Sequence, residues 1–125
     1  MAYVPRILAF AGSLRADSFN KRLLKIAVRG AEEAGANVTC IDLRDYPLPI
    51  FDQDLEARDG MPANGRKIKD LMIAHDGLLL ACPEYNSSIT AVLKNTIDWA
   101  SRREGEEFRR ARMRHWSPGN RRESA

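Results

Sequence analysis

The stretch Arg6-Ile7-Leu8-Ala9-Phe10-Ala11-Gly12-Ser13-Leu14-Arg15-Ala16-Asp17-Ser18-Phe19-Asn20 decides how the rest of the chain is read. Ile7 to Ala11 is an uninterrupted apolar run ending at a glycine. That is the pattern of a strand covered on both faces, and such strands occur in parallel sheets. A polar segment from Ser13 to Ser18 follows. Apolar residues then return at Leu23, Leu24, Ala27, Ala31 and Ala34 ahead of Gly35, which is helical spacing with a glycine stop. Val38 to Ile41 reads as a second strand, so the chain opens with a βαβ unit whose crossover should be right-handed.

Working outward, Asp42 to Gly65 is punctuated by Pro47, Pro49, Pro62 and the Asn64-Gly65 pair. It is expected to form one long ordered loop in which Leu48, Ile50 and Phe51 can pack. Ile68, Leu71 and Met72 are spaced for a helix over about 66–74, and Gly77 to Cys82 is a third apolar strand that Pro83 ends. The spacing predicts a third helix over about 90–101, capped by Thr90 and burying Val92, Leu93, Ile97 and Trp99. Strand and helix alternate throughout, which predicts a doubly wound, three-layer α/β sheet with its ligand outside the carboxyl ends of the strands.

With 125 residues and 44% apolar side chains, the chain can build one core but not two. Charged residues make up 30% of it, and no apolar run approaches the roughly 20 residues of a bilayer span, which excludes a transmembrane helix. No secretory signal stands at the start, so the cytoplasm is the expected location. Cys40 and Cys82 lie in apolar segments without CxxC spacing and are expected to be buried thiols, not a disulfide, redox or zinc pair. His75 and His115 stand alone, which argues against a metal site. The net charge of +3 is uneven: residues 102–125 carry eight arginines against four glutamates, whereas residues 1–101 carry 12 basic and 13 acidic side chains. The basic excess therefore belongs to the tail and gives no ground for treating the body as a nucleic-acid binder.

Two strand-end loops carry the chemistry. The first offers Gly12 for close backbone approach, hydroxyls at Ser13 and Ser18, the amide of Asn20, the guanidinium of Arg15 and the N–H groups of a helix start. Together these suit a phosphate. The alternative is an ordinary βα turn capped by Ser18 or Asp17. Neither GxGxxG nor GxxxxGK[ST] is present, so a monophosphate fits better than a dinucleotide or a nucleoside triphosphate. The second loop, Pro83-Glu84-Tyr85-Asn86-Ser87-Ser88, combines a rigid proline, an aromatic ring and hydrogen-bonding groups able to line a flat heterocycle. Taken alone it reads first as a plain strand-to-helix connection with Tyr85 covering the sheet edge. Glu84 has no partner acid, which makes it a turn or hydrogen-bonding residue before a catalytic one.

Over about residues 6–101 the chain resembles the NAD(P)H-dependent FMN reductases, a flavodoxin-like family that includes quinone, azo-compound and chromate reductases. Three stretches carry the resemblance: Gly12-Ser13-Leu14-Arg15 with Ser18, Asn20 and Leu23; the connection from Asp42 to Asp52; and Pro83-Glu84-Tyr85-Asn86 through Leu93-Lys94-Asn95 to Ile97-Asp98-Trp99. The resemblance implies that Ser13, Arg15, Ser18 and Asn20 hold the FMN phosphate and that Pro83, Glu84, Tyr85, Asn86 and Ser87 border the isoalloxazine. It implies NAD(P)H as cosubstrate, a ping-pong hydride relay to a small-molecule acceptor, no catalytic side chain and no metal. The flavin would do the chemistry and the protein would seat and tune it, which accounts for the missing acid pair. A homo-oligomer, dimer or tetramer, also follows from the resemblance, with the helix over 90–101 at its interface. Lys94, Asn95, Asp98 and Trp99 have a plainer explanation in helix capping and subunit packing, preferred for Asp98 and Trp99.

The chain departs from the family after Ser101, where an arginine-rich segment stands in place of a fourth apolar strand, and Thr90-Ala91 replaces a Pro-Gly. The sequence accordingly divides into an incomplete FMN-binding domain, 1–101, and a divergent tail, 102–125, expected to be a truncated or frame-shifted remnant with Ser117-Pro118-Gly119 near the place of a flavin-side turn. A sheet in order 2-1-3 would leave the third strand as an open edge with an apolar flank and would weaken flavin binding. Two other readings remain: a flavodoxin-like electron carrier or flavin-binding module without pyridine-nucleotide turnover, and an inactive fragment whose tail binds acidic surfaces or nucleic acid nonspecifically.

Overall fold

The computed structural model describes residues 3–103. Its elements run β1 (Arg6–Ala11), α1 (Phe19–Glu33), β2 (Asn37–Cys40), α2 (Gln53–Asp59), α3 (Ala63–Ala74), β3 (Gly77–Ala81) and α4 (Ala91–Ala100), with one 3₁₀ turn at Leu43–Asp45. The three strands form a parallel sheet in the order β2-β1-β3, with Leu8 aligned to Thr39 on one side and to Leu78 on the other. This is the α/β flavodoxin-like arrangement expected from the apolar runs. The readings of the tail and of Ser117-Pro118-Gly119 lie outside the described residues.

Alternation along β1 divides the core in two. Leu8 and Phe10, both fully buried, pack with Leu43, Ile68 and Leu93 beneath α3 and α4. Ala9 and Ala11 face the other way, onto Leu24 of α1, with Ala81 of β3 beside them. Small side chains on that face let α1 lie close to the sheet.

The expected loop over 42–65 is corrected. It holds a 3₁₀ turn capped by Asp42, the two-turn helix α2 and the first residues of α3. Apolar periodicity cannot reveal α2, whose Gln53-Asp54-Leu55-Glu56-Ala57-Arg58-Asp59 has a single large apolar residue. Its boundaries were nevertheless written in the chain: the Asp52 carboxylate accepts from the Asp54 N–H at 2.8 Å, and Gly60 ends the helix at φ 74°.

Residues 47–52 form a strap over α4. The Pro49 carbonyl accepts from the Asn95 amide (2.9 Å) and from the Trp99 indole (2.7 Å), while the Asn95 carbonyl oxygen accepts from the Phe51 N–H (2.8 Å). Phe51 stands edge-on to Trp99 at 4.9 Å between ring centroids, with the Arg102 guanidinium over its other side and paired bidentately to Glu56 at 2.8 Å. Trp99 is thus a fully buried core residue, as the helical spacing predicts, and not the capping or subunit-packing residue preferred as its plainer explanation. Asp98 takes an i,i+4 ion pair with Lys94. Lys69, buried in α3, donates to the Arg102 carbonyl at 2.5 Å.

Two further expectations change because the sheet has two edges. Cys40, on edge strand β2, is exposed, and only Cys82 is partly buried. β3 is not covered on both faces: Leu78 is 50% and Leu80 38% exposed, the open apolar flank that a 2-1-3 order implies. Ile97 is likewise 38% exposed.

Candidate functional site

The carboxyl ends of β1 and β3 are locked together at Gly12. Its N–H donates to the Ala81 carbonyl at 2.9 Å, and its carbonyl accepts from the buried Thr90 hydroxyl at 2.7 Å. A Cβ at Gly12 would stand 2.6 Å from Cys82 Sγ and 3.3 Å from Leu93 Cβ. Glycine is therefore required for space. Thr90 also accepts from the Leu93 N–H at 3.3 Å, capping α4, so the Thr90-Ala91 departure from the family pattern leaves the first turn of that helix intact. The loop after β1 and the loop after β3 consequently sit side by side where β1 has neighbours reached in opposite directions, the switch point at which such sheets bind ligands.

In the first loop, Ser13 and Ser18 are buried. Ser13 Oγ accepts from the Arg15 N–H and Ser18 Oγ from the Asn20 N–H, each at 3.2 Å, the latter being the N-cap of α1. The cap that was the plain alternative therefore exists. It uses an acceptor lone pair and leaves each hydroxyl hydrogen free to donate. Among the described residues, the N–H groups of Leu14, Ala16 and Asp17 meet no protein acceptor. Charge is similarly sorted. Lys21 pairs with Asp42 at 3.0 Å and Arg22 with Asp17 at 2.6 Å, whereas exposed Arg15 has no ion-pair partner among the described residues. Asp42 is held below the usual carboxylate range by the Arg44 N–H and by Lys21, which outweigh its partial burial. Two buried hydroxyls, free amides, a helix N-terminus and one unspent guanidinium fit a phosphate group.

In the second loop, Tyr85 and Ser88 exchange two backbone hydrogen bonds, at 3.0 and 3.1 Å, around Asn86 (φ 52°) and Ser87 (φ 61°). Two consecutive left-handed residues define a type I′ turn, a shape glycine usually provides. Tyr85 is 59% exposed; Glu84, Asn86 and Ser87 are also exposed and Pro83 is half-buried. Strained, outward-facing backbone at a strand end is characteristic of ligand-contacting segments.

Two cavities open nearby, neither of them lined by Ser13, Arg15, Ser18 or residues 83–87. One, of about 430 Å³, lies between Leu14, the 43–48 segment and Val92 and Asn95 of α4. The other, of about 390 Å³, lies between α1 and the ends of β1 and β2. The phosphate-like donor set is recognised by its chemistry. Among the described residues no group of three His, Cys, Asp or Glu side chains is placed to hold a metal, and no helix is long and apolar enough to cross a membrane.

The parallel sheet in the order β2-β1-β3 with helices on both faces defines a flavodoxin-like type of α/β domain. The chain belongs to the NADPH-dependent FMN reductase family, whose model matches residues 5–114. It is 39% identical over 99 residues to an NADPH:quinone oxidoreductase of Arabidopsis thaliana, covering 78% of this chain and 50% of the relative. It is 37% identical over 103 residues to an NAD(P)H-dependent FMN reductase of Pseudomonas aeruginosa, covering 82% and 54%. Among solved structures it resembles FerB, a flavoenzyme NAD(P)H:(acceptor) oxidoreductase from Paracoccus denitrificans, with TM-score 0.66, 35% identity and coverage of 82% and 53%. The chain spans about half the length of the curated relatives it matches.

Proposed function

We propose that residues 1–101 form the FMN-seating unit of an NAD(P)H-dependent oxidoreductase that passes electrons to a small-molecule acceptor such as a quinone or free flavin. The unspent donor set of residues 13–18, set against the β3 loop by Gly12, carries this reading. Arg15, the Ser13 and Ser18 hydroxyls and the free N–H groups would take the phosphate, with Asn20 holding the Ser18 cap, and Pro83 to Ser87 would border the ring. Bound FMN would supply the hydride chemistry itself, so the chain needs to bind, orient and polarise, and no paired acid is required. The family relationship, with relatives named for quinone and FMN reduction, supports the reading. A cytoplasmic, homo-oligomeric protein accompanies it.

The absorption spectrum of the purified chain with FMN, before and after NADPH, tests the proposal. A yellow protein that bleaches with NADPH is expected. Bleaching by dithionite alone would select a flavin-binding module, and a colourless protein that takes up no FMN would overturn both.

A further inference from the structure

The cavity of about 390 Å³ has no part in the reading above, and it lies on the β2 side of β1, across that strand from the 83–87 loop. It is built wholly from residues between 11 and 46: Ala11 ends β1, Cys40 ends β2, and Lys21 and Lys25 stand one turn apart on the same face of α1. Its volume falls in the range of roughly 300–1,000 Å³ that small-ligand sites occupy. The charged groups in its wall divide as those of the cradle do. Lys21 pairs with Asp42 at 3.0 Å, whereas Lys25 and Asp45 take no ion pair or side-chain hydrogen bond among the described residues. Buried Leu24 and half-buried Ile41 and Tyr46 supply apolar surface beside them. An unspent cation, an unspent carboxylate and apolar walls match the three parts of a nucleoside phosphate: phosphate, ribose hydroxyls and base.

Position supplies a second argument. Lys21 belongs to the first turn of α1, just past its Ser18 cap, so the cavity begins where the cradle ends. In doubly wound sheets a two-nucleotide ligand crosses the strand ends at the switch point, with an acidic residue past the second strand taking the far ribose. Asp42 and Asp45 stand at that place, directly after β2. Residues 12–17 hold one glycine in place of the three of the dinucleotide fingerprint, so side chains must meet the second phosphate where backbone does in that motif.

We infer that this cavity seats an adenosine joined through a second phosphate to the one in the cradle, so that the chain takes FAD as well as FMN and holds FAD more tightly. The inference rests on the cradle holding a flavin phosphate. The flavin half lies toward Pro83–Ser87, and the pyrophosphate crosses the end of β1 between Arg15 and Lys25. The ribose hydroxyls donate to the Asp45 carboxylate, and the base lies against Leu24, Ile41 and Tyr46. NADPH carries the same adenosine group, and Cys40, exposed in the cavity wall, is the reporter that separates the two sources.

Titration of the flavin-free full chain with FMN and with FAD, and alkylation of Cys40 read by mass spectrometry under each ligand, test the inference. FAD is expected to bind about tenfold or more tightly than FMN, and to shield Cys40 where FMN does not. The paired substitution Lys25→Gln and Asp45→Asn, on exposed side chains, should raise the FAD dissociation constant by about fivefold or more and leave that of FMN unchanged. Equal affinity for the two flavins with Cys40 equally labelled would overturn the inference and leave the cradle standing, as would a preference for FAD that the paired variant does not alter. Shielding of Cys40 only when NADPH is added to the FMN-loaded chain would assign the cavity to the pyridine nucleotide and overturn the flavin-linked form. Failure to take up either flavin would overturn cradle and cavity together.

Discussion

The two loops at the carboxyl end of the sheet make different demands on the chain, one for space and one for a backbone dihedral that most residues resist. At Gly12 the requirement is space: Cys82 Sγ would lie 2.6 Å from an added Cβ. At Asn86 and Ser87 the requirement is a left-handed dihedral, and the chain meets it without glycine. The first solution joins β1, β3 and α4 and belongs to the fold. The second keeps a strained turn on the surface, where its exposed groups face solvent. Position in the molecule, more than residue type, separates the structural glycine from the exposed turn.

Gly12→Ala is the severest way to break that contrast. It should cost about 1–3 kcal/mol of stability by overpacking, read by chemical denaturation, and lower FMN uptake with it. Cys82→Ala in the same chain should recover part of the loss, because it removes the nearest clashing atom. Next comes Arg15→Ala, which should weaken FMN binding by roughly 10–100-fold, the worth of one charged hydrogen bond, and leave the melting temperature unchanged. Equal loss of stability and binding would make Arg15 part of the fold instead. Smaller still, Ser87→Gly relieves a left-handed residue and should shift stability by less than about 1 kcal/mol. A large loss there would mean that the Ser87 side chain, and not its dihedral, matters.

The weakest effect lies outside both loops, where Glu56 of α2 meets Arg102 just past α4. The Arg102 guanidinium holds the Glu56 carboxyl below its ordinary range. A carboxylate whose pKa falls on folding stabilises the fold above its unfolded pKa, and that contribution disappears as pH drops through the folded value. The acid limb of a stability–pH profile should therefore be shallower in Glu56→Gln than in the parent chain.

Much of this was legible in the residues. Ile7 to Ala11 and Gly77 to Cys82 read as strands because uninterrupted apolar runs have few alternatives. Ser18 and Thr90 announced the helix starts at which they are found. The family pattern in residues 12–20 and 83–87 pointed to the two loops that Gly12 brings side by side. Other features were hidden. α2 lacked apolar periodicity, and its Asp52 cap looked like one more turn residue among prolines. The spacing of α4 put Trp99 on the buried side but did not reveal its hydrogen-bond acceptor, Pro49, which is 50 residues away in sequence.

Local chemistry alone determined the types of most elements and the supply of phosphate-compatible donors, since periodicity and capping act within a few residues. Tertiary structure decided which of those donors stay available. Lys21 and Arg22 are spent on Asp42 and Asp17, and Arg15 is not, a distinction set by distances between loops that composition cannot encode. It also decided that Cys40 lies open and that β3 has a bare apolar flank, because exposure depends on which neighbours the sheet provides and not on how apolar a strand is.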